Sequence, residues 1–237
     1  MIPARYAATR FPGKLMQLLG GKPVLRHTYD ATVDTGLFDE VVVVTDSDII
    51  YHEIVSHGGK ATMSKATHES GSDRIAEAVS GLDVDVIINV QGDEPFIQKE
   101  PLEKLVHLFD DPTVEVGSLM RRITDSQELV KPSAVKVTVN KNNDALYFSR
   151  SVIPFGANTV IDIPYYLHIG VYGFRKQTLL NFTKWAPAQL ELADKLEQLR
   201  YLENGIPIRM ALVDFQSVAI DTPEDLARAT ELVNRKK

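Results

Sequence analysis

Apolar residues form short unbroken runs in the first half of the chain and hairpin or helical spacings in the second. Val41-Val42-Val43-Val44 and Val86-Ile87-Ile88-Asn89-Val90 show no polar alternation, the pattern of strands buried on both faces of a parallel sheet. The spacing predicts a helix over 24–33 before the first run. Between the two runs it predicts helices over 47–57 and 72–80 and a modest strand over 60–63. Strand and helix thus alternate through about residue 110, which predicts a wound, mostly parallel α/β sheet with right-handed crossovers.

The second half changes character. Strands at 135–139 and 145–148 flank Asn140-Lys141-Asn142-Asn143-Asp144, a hairpin turn rich in residues that tolerate left-handed backbone. A further strand is expected over 165–174. One helix is expected over 190–203, stopped by Asn204-Gly205 and followed by Pro207. The last helix is marked by Thr222 as N-cap, Pro223 at its first position and Asp225 three residues after the cap. Leu226, Ala229, Leu232 and Val233 would form its buried stripe. With no repeat or linker, residues 1–237 read as a single domain with a β-rich inserted portion at about 132–185. Only Met1 and Ile2 precede the first loop. About four to six residues of the strand that should deliver it are therefore expected to be missing from this numbering, given a usual strand length of ~5–6.

Composition narrows the function. Apolar residues make up 44% and charged residues 24%, an ordinary soluble profile. The net charge of −6 argues against non-specific nucleic-acid binding. No run approaches the ~18 apolar residues of a membrane span, and Pro3 and Arg5 interrupt any leader-like segment. With no cysteine there is no disulfide, thiol nucleophile or thiolate metal site. A cytoplasmic enzyme with neither nucleic acid nor membrane as partner fits these limits.

Four segments carry candidate chemistry. Residues 3–14 set Arg5, Arg10 and Lys14 on a loop bent by Pro3, Pro12 and Gly13. Arginine forks, a lysine point charge and main-chain N–H groups can wrap a polyphosphate; a solvated basic loop is the alternative. Gln91-Gly92-Asp93-Glu94-Pro95 follows the run at 86–90, at the carboxyl end of a strand where wound sheets bind ligands. Its carboxylates suit Mg²⁺, although a plain turn would also use them. Asp221 follows the strand-like Val218-Ala219-Ile220 and precedes a capped helix. If the two strands are neighbours, Asp93 and Asp221 could share one cation. Finally, His68-Glu69-Ser70-Gly71-Ser72-Asp73-Arg74 reads as a capped helix start whose N–H groups could face a ligand, with Arg74 one turn in. The glycine fingerprints of dinucleotide and P-loop sites are absent.

These segments, together with Phe148-Ser149-Arg150-Ser151-Val152-Ile153-Pro154, His168-Ile169-Gly170-Val171-Tyr172, Leu196-Glu197-Gln198-Leu199-Arg200 and Asp221-Thr222-Pro223-Glu224-Asp225-Leu226, occur in the order seen in one family. The chain resembles the 3-deoxy-manno-octulosonate cytidylyltransferases (CMP-Kdo synthetases) over nearly its whole length. That resemblance implies a three-layer wound, mixed but mostly parallel sheet of the nucleotide-diphospho-sugar transferase type. It implies Mg²⁺-dependent transfer of CMP from CTP to the octulosonate, for lipopolysaccharide synthesis, by a homodimer. Lys14, Asp93 and Asp221 become catalytic, with the two aspartates as metal ligands. Ala4, Arg5, Arg10, Lys14, Ser70, Gly71, Ser72, Arg74 and Gln91 would bind CTP. Gln91, Arg150, His168, Tyr172, Glu197 and Arg200 would line the sugar-acid pocket. The chain departs from the family in having Ala8 where serine is usual, and Ser72 and Asp73 where threonine and glutamate are common. The alternatives are an 8-amino octulosonate or sialic acid as acceptor, or a non-catalytic nucleotide-binding module.

Overall fold

A computed structural model describes residues 1–7, 11–66, 68, 70–157 and 162–235. In chain order its first elements are β1 (Ile2–Ala4), β2 (Leu18–Leu19), β3 (Lys22–Pro23), α1 (Val24–Asp34), β4 (Val43–Thr45), α2 (Asp48–Ser56), β5 (Ala61–Met63), α3 (Gly71–Val79), β6 (Val86–Asn89) and α4 (Lys99–His107). There follow β7 (Val116–Arg122), α5 (Ser126–Leu129), β8 (Lys136–Val139), β9 (Ala145–Ser149), β10 (Tyr166–Arg175), α6 (Lys176–Phe182), α7 (Gln189–Asp194), α8 (Leu199–Glu203), β11 (Ile208–Leu212) and α9 (Pro223–Arg235). The chain divides into two compact units, one of Met1–Val84, Ile88–Leu102 and Ser217–Lys237, the other of Asp85–Ile87 and Glu103–Gln216.

The first unit is built on the parallel sheet β1-β4-β5, with Ile2 opposite Val43 and Val43 opposite Ala61. Pro3 and Ala4, expected in the loop, belong to β1. Ile2 N donates to Val42 O, and on the other side Val90 N donates to Met1 O at 3.1 Å. Main-chain bonds on both flanks thus make a strand of three residues, and a proline is tolerated where the ladder does not call on its nitrogen. Helix α1 buries Val24, Leu25, Thr28 and Thr32. The two threonines satisfy their hydroxyls on Val24 O and Thr28 O, so a polar stripe can face the core.

Two expectations change in this unit. Residues 213–220 form no strand. Ile220 instead seats in an apolar cluster with Leu19, Val24 and Ala229, against which Leu226 and Val233 pack. Packing of a single buried side chain, not sheet pairing, fixes this approach to α9. Leu232 is exposed, because its position round the helix falls at the edge of the stripe carrying 226, 229 and 233.

The second unit holds a mixed six-stranded sheet in the order β11-β7-β10-β8-β9, with β6 also paired to β10. β11 and β7 run parallel, whereas β7-β10, β10-β8 and β8-β9 are antiparallel. The β8-β9 hairpin turns through Asn143 at φ 61°, a left-handed position that asparagine accepts. The helix expected over 190–203 is two helices. Lys195, at φ 54° and ψ 50°, ends α7 as a left-handed cap does, and the chain re-enters a helix only at Leu199. Glu197 therefore lies outside any helix, and Arg200 forms an ion pair with Glu191.

Candidate active site

The sequence places a cation and two anions far apart, and the first unit brings them to one point. The opening loop closes on itself through Gly13 N donating to Tyr6 O and Lys14 N donating to Phe11 O. Gly13 sits at φ 63° and caps a short 3-10 turn over Lys14–Met16. A side chain there would be strained by that φ and would meet the Tyr6 ring at 3.5 Å. The turn delivers Lys14 inward, where its Nζ donates to Asp93 Oδ2 at 2.5 Å and to Asp221 Oδ1 at 2.7 Å. Burial pushes the Lys14 ammonium down, but the two aspartates outweigh it and hold its pKa above the usual lysine value.

Asp93 lies on the turn after β6 and not at the strand's last residue. Gly92 makes that turn possible, since a Cβ would come within 3.1 Å of Leu25 and 3.3 Å of Pro3 O. The Thr28 hydroxyl donates to Gly92 O at 2.9 Å, fixing the turn to α1. Asp221 arrives from the coil before α9, and Ile220 N donates to Asp93 O at 3.0 Å. The expected meeting of two strand ends is thus made by one main-chain bond between a turn and a coil. Two hard oxygen donors converge on one cation, the donor set that Mg²⁺ takes from proteins when phosphates and water supply the rest. Among the described residues no group of three or more histidines, aspartates or glutamates could hold a metal.

Around Lys14 lies a cavity of about 200 Å³ lined by Ala4, Arg5, Ser70, Gly71, Arg74, Gln91 and Asp93, with Pro3, Leu15, His68 and Gly92. Ser70 caps α3, accepting from Asp73 N at 3.1 Å and donating to Asp73 Oδ2. The N-terminal end of α3, positive by its dipole, thus opens on this cavity. Arg74, expected to bind CTP, lines the cavity and is itself buried, with Nη2 on Asp46 at 2.7 Å and Nη1 on Ser64 at 2.9 Å. Ser72 is buried on α3 and is not among the cavity's lining residues. Gln91 donates to Asn89 Oδ1. Arg10 and Ala8 lie outside the described residues.

His68 and Glu94 are not among the residues to which the resemblance gives a role. His68 lines the cavity and pairs with Glu77 through Nε2 at 2.6 Å. Glu77 also accepts from Lys65 N and Ala66 N, and its carboxyl is held below the usual range chiefly by the Lys65 bond. Glu94 is 6% exposed. Burial raises its pKa to about 7, against the Ser217 hydroxyl, which pulls it down, and with Asp93 and Asp221 pushing it further up.

The five residues expected to bind a sugar acid, other than Gln91, all belong to the second unit. His168 and Tyr172 straddle a β-bulge in β10, with ring centroids 5.4 Å apart. The Ser118 hydroxyl lies 3.0 Å from His168 Nε2. Burial lowers His168 to about 3 and raises Tyr172, to which the Glu197 charge adds. Arg150 and Arg200 are tied to the α7 segment instead. Arg150 donates to Asp194 O and Pro132 O. Arg200 Nε donates to Glu191 at 2.7 Å, its guanidinium over the Phe182 ring at 4.2 Å.

A family model described as Cytidylyltransferase matches residues 1–212. The 3-deoxy-manno-octulosonate cytidylyltransferase of Flavobacterium johnsoniae is 55% identical over 236 residues, 98% of this chain and 97% of that protein. The enzyme of that name from Phocaeicola vulgatus is 43% identical over 247 residues, 100% of this chain and 97% of that protein. A solved structure of CMP:2-keto-3-deoxy-manno-octonic acid synthetase complexed with CTP is similar at a TM-score of 0.94 and 38% identity, over 100% of this chain and 98% of that one. The 4-diphosphocytidyl-2C-methyl-D-erythritol synthase of Anaerococcus prevotii shares the fold, with a TM-score of 0.64 at 16% identity over 99% of this chain and 97% of that one. The mixed α/β architecture is therefore that of the nucleotide-diphospho-sugar transferases. The chain belongs to the cytidylyltransferase family and, within it, to the 3-deoxy-manno-octulosonate cytidylyltransferases.

Proposed function

We propose that the protein transfers CMP from CTP to 3-deoxy-manno-octulosonate and releases pyrophosphate. The observation that carries this reading is the Lys14 ammonium held by Asp93 and Asp221 at the edge of a cavity that also presents Arg5 and the start of α3. The names of full-length relatives at 43–55% identity and the CTP of the solved neighbour support the same choice.

In this mechanism the anomeric hydroxyl attacks the α-phosphorus in line. An O–P bond forms, the bond to the β-phosphate oxygen breaks, and the hydroxyl proton passes to solvent. Arg5 and Lys14 bind the triphosphate and stabilise charge on the departing pyrophosphate. The N–H groups at Ser70 and Gly71 orient the nucleotide. Arg74, fixed by Asp46 and Ser64, gives that end of the cavity a rigid wall. His168, Tyr172 and Glu197 receive acceptor hydroxyls, and Arg150 and Arg200 the acceptor carboxylate. Asp93 and Asp221 would hold Mg²⁺. When bound, that ion supplies a lowered pKa for the attacking hydroxyl and neutralisation of phosphate charge.

The active species is a homodimer, to which exposed apolar side chains such as Phe155 and Leu146 give covering surface. The product feeds lipopolysaccharide synthesis in the cytoplasm. Among the described residues no helix is long and apolar enough to cross a membrane.

The test is pyrophosphate release from CTP and Mg²⁺ with a panel of acceptors: the octulosonate, its 8-amino analogue and sialic acid. Turnover with the octulosonate at the highest kcat/KM is expected. Preference for another acceptor would move the substrate, and Mg²⁺-dependent CTP binding with no turnover would make this a binding module.

A further inference from the structure

Asp221 stands at the end of a coil, 213–220, that forms no strand of its own and is bonded to β7 at its start by Val213 N donating to Met120 O at 2.9 Å, yet it must meet Asp93 on one atom. Ile220 anchors the coil from one side, buried in its cluster and bonded through its N–H to Asp93 O. From the other side the Ser217 hydroxyl bonds the Glu94 carboxylate, at 2.6 Å to one oxygen and 2.8 Å to the other. Glu94 is the neighbour of Asp93 in sequence and is buried. It is not among the residues lining the cavity. A buried carboxylate costs more than an apolar side chain of its size, so its retention beside two other acids calls for a role that an apolar residue could not fill.

We propose that Glu94 and Ser217 form a positioning clamp that sets the spacing of the Asp93 and Asp221 carboxylates, and through it the rate of nucleotidyl transfer. The inference rests on the reading that those two aspartates act together. The clamp ties the turn carrying Asp93 to the coil carrying Asp221 at a point three residues upstream of Ile220, so that the stretch leading into Asp221 is held at Ser217 as well as at Ile220. A displacement of ~1 Å in a reacting constellation costs on the order of 10²-fold in rate, a shift open to this stretch when the contact at Ser217 is lost and Ile220 alone holds it to the Asp93 turn. The seat of Ile220 is made by Leu19, Val24 and Ala229 and not by Ser217 or Glu94, and circular dichroism checks that each variant is folded.

The experiment compares Ser217→Ala, Glu94→Ala, Glu94→Gln and Asp221→Asn in the full chain, by steady-state kinetics with CTP and the octulosonate. It adds the Mn²⁺ dissociation constant, read by electron paramagnetic resonance. Ser217→Ala and Glu94→Ala should lower kcat by about 10–100-fold, leave KM for CTP within about twofold and weaken Mn²⁺ binding. Glu94→Gln, whose amide oxygen still accepts from Ser217, should recover most of kcat. If Ser217→Ala and Glu94→Ala keep wild-type kcat while Asp221→Asn is inactive, the clamp is overturned and the aspartate reading stands. If Asp221→Asn itself turns over normally, the reading beneath the clamp fails. A Glu94→Gln variant as slow as Glu94→Ala would also overturn the clamp.

Discussion

Lys14 Nζ lies within hydrogen-bond reach of two carboxylates, and removing that one charge turns two attractions into a repulsion between like groups. Lys14→Met should therefore lose both a phosphate ligand and the alignment of Asp93 with Asp221. The expected fall in kcat/KM is about 10²–10³-fold, the usual cost of one transition-state donor, measured by pyrophosphate release. His168 gives a prediction of a different kind. Its folded pKa of about 3 lies below the ordinary value near 6.5, so the unfolded chain takes up a proton first. The stability this neutral imidazole supports is whole above about pH 6.5 and is lost as pH falls toward 3. Between pH 7 and 5 the unfolding free energy of the wild type should drop about 2 kcal/mol more than that of His168→Gln. Urea titrations at the two pH values check it, and equal losses in both proteins would contradict it.

At the scale of elements, α7 ends on Lys195 in the left-handed region at φ 54°. A residue bearing a Cβ costs about 1–2 kcal/mol there, a penalty that glycine avoids and partly gives back through its looser unfolded chain. Lys195→Gly should raise the unfolding free energy by up to about 1 kcal/mol, seen as a higher melting temperature, and a fall would show that Lys195 contributes contacts beyond its backbone. The same position explains what could be read from the sequence. Residues 190–203 carry no glycine, so nothing in the spacing signals a break that a lysine makes against its propensity. The unbroken runs at 41–44 and 86–90 and the Thr222-Pro223-Asp225 start of α9 were legible because local chemistry alone dictates them. β7 was not, since Gly117 and Ser118 interrupt its apolar run. The smallness of Gly117 follows from helix side chains packed above, with Leu105 and Leu108 within 3.2 Å of a Cβ there, while Ser118 turns its hydroxyl to Ile169 O and Val171 O of β10. At the site, the residue types of Arg5, Lys14, Asp93 and Asp221 were visible and the route by which Asp221 reaches Asp93 was not. That route depends on a long-range bond and a buried isoleucine, neither of which leaves a periodic trace. Glu94 was hidden for the same reason, as its partner Ser217 lies 123 positions away.

Across the whole molecule, a chain of net charge −6 must bind an anionic triphosphate. It does so by concentrating cations and a helix N-terminus at one cavity of the first unit, while the residues assigned to the acceptor belong to the second. That division predicts which kinetic constants respond to which substitutions: changes at Lys14 or Asp93 act on CTP and turnover, and changes at Tyr172 or His168 on the acceptor's KM. The claim on which all of this depends is that Asp93 and Asp221 work as a pair on the reacting phosphate. It is tested most directly by pyrophosphate release from CTP and the octulosonate in Asp93→Asn and Asp221→Asn, each verified as folded by circular dichroism. Both variants should lose turnover by at least about 10²-fold; wild-type turnover in either one would contradict the account.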